Sequence, residues 1–166
     1  MKVLYATALI LMSFHVSANQ NPHVNDFINI FKKHCFAFKN NPDAAGTFLE
    51  SRGYKRNPEF QDAYEILVGN IDYAVTPQHY DCTADVLVMH TGKRLFGYNE
   101  LNSALKRTFG LTEINNRIFQ DVALDNKNTK IQQTDYSGRG GHRFRLLYPK
   151  TNQNNYYMTF TIDWLR

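Results

Sequence analysis

The residues best suited to chemistry in this 166-residue chain lie between Ser137 and Tyr148, in the run SGRGGHRFRLLY. Phe144 and Leu146 share one side of an extended segment there, so Arg143 and Arg145 share the other, and the glycines around Arg139 put a third guanidinium at a turn. With His142 beside them, these arginines form a candidate binding surface for an anionic partner, because a guanidinium grips carboxylate or phosphate through two parallel hydrogen bonds. Lys130, across the hairpin, extends the same patch.

Other combinations are thinner. His79 and Asp81 stand at the start of an extended run and, with His142, supply the acid and base of a small hydrolase. Ser137 before Gly138 lacks the G-x-S-x-G context and the strand-turn-helix setting of a nucleophile elbow. Glu50, Glu59, Glu65, Asp81, Asp85 and Glu100 include enough carboxylates for a glycosidase pair, although spacing selects none of them. Of the histidines His15, His23, His34, His79, His90 and His142, none forms an HExxH motif, and no Cys-x-x-Cys occurs. No metal site or cofactor is expected.

The two cysteines, Cys35 and Cys82, read most simply as one disulfide, since the chain opens like an exported protein. Lys2, the apolar run Val3 to Phe14 and the small residues at Val16-Ser17-Ala18 have the order of a secretory signal, with cleavage expected after Ala18. The apolar run is shorter than the roughly 20 residues that span a bilayer, and no membrane span is expected. The alternative for the cysteines is a reactive thiol, with His34 next to Cys35, or His79 near Asp81, as its base.

Residues 19–166 are the size of one domain. The full chain carries a net charge of +4, and loss of Lys2 with the signal leaves +3. That mild excess, without a dense Lys/Arg stripe, argues against nucleic acid as a partner. Twelve Phe and ten Tyr supply a large aromatic core.

These residues are positioned by an alternation of helices and strands. Asn21-Pro22 starts a helix over 22–36, with Val24, Phe27, Ile28, Phe31 and Cys35 on its apolar face. Asn41-Pro42-Asp43 starts a second, which buries Ala45, Phe48 and Leu49 and stops at Gly53, a left-handed cap with Tyr54 folded back. Strands follow over 63–68 and 71–75, joined at Gly69-Asn70, and then the run His79 to His90 with Cys82, Ala84, Val86 and Val88 on one face. Tyr98 to Phe109 is a third helix closed by Gly110. Four strands complete the chain, over 118–124, 130–136, 142–148 and 156–165. The fold class is therefore α+β, a mostly antiparallel sheet with about three helices packed on one face and one disulfide.

Phe31 to Cys35, Asn41-Pro42-Asp43, Phe48-Leu49, Gly53-Tyr54 and Cys82 together resemble small exported bacterial proteins of uncharacterised function. The resemblance implies a periplasmic or secreted domain tied by a helix-to-strand cysteine pair, and it carries over no catalytic residue. The expected function is that of a non-catalytic exported binding protein, an inhibitor or immunity-type protein recognising another protein. The alternatives are a small periplasmic hydrolase and a lipid or small-ligand carrier that uses the aromatic sheet.

Overall fold

The computed structural model describes residues 21–57, 60, 62–124, 126–151 and 156–164. The expected signal segment, Glu59, Asp125, the loop 152–155 and Leu165 lie outside them. Helix α1 (Pro22–His34) begins where Asn21 Oδ1 accepts the His23 amide at 3.0 Å, with Pro22 in the first turn. It buries Val24, Phe27, Ile28, Phe31 and His34, and it ends two residues earlier than the spacing predicts, because the chain tightens into a 3-10 turn at Phe36–Phe38. Helix α2 (Asp43–Ser51) stops at Gly53, whose φ of 83° is the left-handed conformation expected, and the Tyr54 amide reaches back to the Leu49 carbonyl at 3.2 Å. Helix α3 (Tyr98–Phe109) has the predicted bounds. Gly110 caps it at φ 63° and donates its N–H to the Lys106 carbonyl.

The strands are β1 (Arg56–Asn57), β2 (Ala63–Val68), β3 (Ile71–Pro77), β4 (Asp81–Leu87), β5 (Met89–His90), β6 (Lys93–Arg94), β7 (Thr112–Val122), β8 (Asn128–Ser137), β9 (Arg143–Pro149) and β10 (Tyr157–Asp163). Among the described residues, eight of them form one antiparallel sheet in the order β1-β2-β3-β4-β10-β9-β8-β7. The run expected as one strand over 79–90 divides at Val88, whose carbonyl accepts the Leu95 amide, and β5 and β6 form a small separate hairpin around Thr91-Gly92. Strand β7 starts six residues before the predicted Ile118. Its first half shows no hydrophobic alternation because it is an exposed edge, and pairing with β8 recruits it despite two asparagines and a bulge between Glu113 and Asn115.

One face of the sheet, here the inner face, carries Tyr73 and Val75 of β3, Cys82, Ala84 and Val86 of β4, Met158, Phe160 and Ile162 of β10, and Phe144 and Leu146 of β9, all buried. Helix α1 lies on it. The Phe31 ring sits 4.5 Å from Phe160, 5.4 Å from Phe109 and 6.4 Å from Phe144, so one side chain joins α1, α3 and two strands. The Cys35–Cys82 disulfide, Cα atoms 5.4 Å apart, ties the end of α1 to β4, and the reactive-thiol alternative falls with it. Burial, then neighbouring Lys33, lowers the His34 pKa to about 4, which leaves it a weak base.

Candidate functional site

Strand β9 turns Arg143 and Arg145 outward, as alternation requires, and both are exposed. They meet different neighbours. Arg145 stands opposite Asp135 of β8 and Thr161 of β10, and its Nε–H donates to Asp135 Oδ1 at 2.8 Å. Burial raises the Asp135 carboxyl, but hydrogen bonds from Arg145 and Gln133 outweigh it and hold its pKa below the usual value. Arg143 lies opposite Ser137 and Asp163. Ser137 is therefore a strand residue in a cross-strand row and sits at no strand-to-helix elbow.

His142 is not with the arginines. The parity that exposes Arg143 and Arg145 sends His142 to the side of Phe144, where it is 4% exposed and its Nδ1 has no hydrogen-bond partner among the described residues. Burial lowers its pKa, and Lys39 adds to the effect against an opposing hydrogen bond with the Asp163 backbone. Lys130 is likewise off the patch. Asp135, opposite Arg145, fixes odd-numbered β8 residues on the outer face, and Lys130 is on the inner one.

Arg139 enters a different site. Its turn runs close to the body of the protein: a Cβ on Gly138 would stand 2.5 Å from the Phe144 ring, and one on Gly110 would stand 3.3 Å from Arg139 Nε. Glycine at Gly138, where any Cβ would collide with Phe144, lets the turn lie this close and brings Arg139 over the C-terminal end of α3. There it joins Lys39, which follows the 3-10 turn, and Arg107, from the last turn of α3, around a cleft of about 480 Å³. The cleft is floored by Phe36, Phe109 and Phe144, with Phe36 and Phe109 centroids 5.0 Å apart and Lys39 Nζ 4.9 Å above the Phe36 ring. Three cations thus converge from three segments, with no carboxylate among the described lining residues.

No protein-family model, curated protein or solved structure matches the chain. Its chemistry therefore has to be read from the site itself. The basic cleft can hold an anion against an aromatic floor, and among its described lining side chains only the Thr108 hydroxyl is neither cationic nor apolar.

The other candidates are scattered. His79, exposed, has its Nδ1 3.5 Å from Asp43 Oδ1. Asp81 faces Asp163 across β4 and β10, and burial, then Asp163, raises its pKa. Glu50 accepts from Tyr64 Oη at 2.9 Å. Among the described residues no group of three His, Cys, Asp or Glu side chains is close enough to hold a metal ion. Lys39 and Arg107 were not singled out by sequence reasoning. The only local signals were a lysine just after the aromatic run Phe36–Phe38 and a basic last turn in α3, both common at helix ends.

Proposed function

We propose that the chain is a non-catalytic, exported binding protein of the inhibitor or immunity type, which captures another protein by an acidic segment of that partner. The observation that carries this reading is the convergence of Lys39, Arg107 and Arg139 on one aromatic-floored cleft without a neutralising carboxylate among the described lining residues. Such a cleft attracts carboxylates from solution and fixes them by two-pronged hydrogen bonds, while its phenylalanines give the partner's apolar neighbours a surface to bury. Export is supported by the Cys35–Cys82 bond, of a kind that persists in oxidising compartments, and by the signal-like order of the first eighteen residues.

The test is affinity capture from periplasmic and secreted fractions with the oxidised protein and, in parallel, with a Lys39→Ala/Arg107→Ala/Arg139→Ala variant. One stoichiometric protein, held by the wild type, released by salt and not held by the variant, is the expected result. Equal retention by both forms sinks the proposal, as does turnover of a substrate by the purified protein.

A further inference from the structure

The outer face of the sheet carries a second cleft, remote in kind from the basic one. Glu65, Ala74, Asp85 and Thr159 stand side by side across β2, β3, β4 and β10. The small side chain of Ala74, between two acids, leaves open space above the sheet, and Ala63 extends it. Phe60, Leu87, Tyr157 and, from the turn after β7, Leu124 surround that space to give a cleft of about 560 Å³. This lies within the range of small-molecule sites, which are mainly apolar with a few convergent polar groups.

Asp85 is the anomaly. It occupies a central strand, is half-buried, and lines the cleft with its side chain. Neither a hydrogen bond nor an ion pair reaches its carboxylate from the described residues. The groups facing it are Glu65 of β2, Asp72 of β3 and Tyr157 of β10, and no Lys, Arg or His is among the described lining residues. Burial, followed by Asp85, Asp72 and Glu65, pushes the Tyr157 phenol up, so the three acids act on one point. The fold gains nothing from a carboxylate here. A central strand position of this kind would be better filled by Thr or Val, and a residue that breaks its local rule without a structural return marks a functional position.

We infer that this cleft binds a small organic cation, an amine or guanidine whose charge rests on Asp85 and whose apolar body lies against Leu87, Leu124 and Phe60. The missing partner of the carboxylate is the ligand's own ammonium or guanidinium group. Glu65 and Asp72 at the mouth draw the cation in, and the apolar walls suit an organic body over a hydrated metal ion, which would need further oxygen ligands.

The test uses the oxidised protein and two probes of equal size and opposite charge, 2-phenylethylamine and 3-phenylpropionate, followed by calorimetry and by backbone amide shifts. The amine is expected to bind saturably and to shift Ala74, Asp85 and Thr159, while the acid does neither. Asp85 must be ionised to receive a cation, and its pKa of about 7 sets the window. Amine affinity should fall by about thirtyfold between pH about 8.5 and about 5.5 as Asp85 takes up its proton. Asp85→Asn, which keeps the shape, should remove both the affinity and its pH dependence, and Glu65→Gln should weaken binding less. Equal binding of the two probes, saturation by neither, or unchanged amine affinity in Asp85→Asn would overturn the inference. The Lys39, Arg107 and Arg139 variant leaves this cleft intact and should bind the amine as the wild type does, which separates failure here from failure of the protein-capture reading.

Discussion

Arg145 and Asp135 face each other across β9 and β8, 2.8 Å from Nε to Oδ1, and this contact separates two arginines that look equivalent in the sequence. Arg145 already has a carboxylate. Arg139 has an aromatic-floored cleft and two other cations. Arg145→Ala should therefore leave the binding of a short poly-glutamate peptide unchanged and, the pair being half exposed, cost at most about 1 kcal/mol of stability. Arg139→Ala should weaken the same peptide by about tenfold, or about 1.4 kcal/mol. Titration of both variants at two salt concentrations decides it, and the opposite ranking would return the site to β9.

The bond between Cys35 and Cys82 closes a loop with a sequence separation of 47. In the chain-entropy account such a loop is worth about 4 kcal/mol, a large part of a typical domain's stability of about 5–15 kcal/mol. Cys35→Ser/Cys82→Ser should lower the urea midpoint accordingly. A loss below about 1 kcal/mol would mean that α1 is held on β4 by packing alone.

His34 is 2% exposed, its ring lies against Phe48 and Tyr54 at 6.0 and 5.6 Å, and its Nδ1 has no partner among the described residues. Its folded pKa of about 4 lies below the unfolded value near 6.5, so between these the unfolded chain holds the proton and the native one does not. Stability must rise with pH across this window and be lost as pH falls through it, by on the order of 2–3 kcal/mol. His34→Phe should flatten that slope in urea titrations from pH about 4 to about 7.

Asp85 works in the opposite sense. Its folded pKa of about 7 is above the ordinary carboxylate value, so the native state holds a proton that the unfolded chain has already released. Its contribution is present at low pH and is lost as pH rises to about 7. Asp85→Asn should therefore stabilise the protein above pH about 7, by on the order of 2 kcal/mol, and much less at pH about 4. Because the two windows overlap, the wild type should show a shallow profile that each single variant tilts in its own direction.

Much of this architecture was legible because it rests on local signals. Gly53 and Gly110 mark two helix ends, and the alternation of Met158, Phe160 and Ile162 marks the inner face of β10. The inward turn of His142 was legible as well, since it shares parity with Phe144. Strand β1 and the hairpin of β5 and β6, at two residues per strand, are too short for a period to register. The start of β7 carries no buried stripe and owes its form to β8. Lys39, Arg107 and Arg139 come together only through the packing of three segments distant in sequence, and no spacing rule reaches across such separations. Asp85 stood on a strand in the sequence, but that its surroundings would offer it no partner depends on Leu124 and Tyr157, which arrive from the other half of the sheet.

The position of β10 has a consequence in time. Among the described residues it is the latest strand in chain order, yet it lies in the middle of the sheet, between β4 and β9. Until it is synthesised, β1 to β4 and β7 to β9 are two half-sheets, each with an open edge where β10 will pair. Completion of the sheet thus waits on pairings between residues as far apart as Asp81 and Asp163, and such late, long-range closure favours folding after β10 has been synthesised.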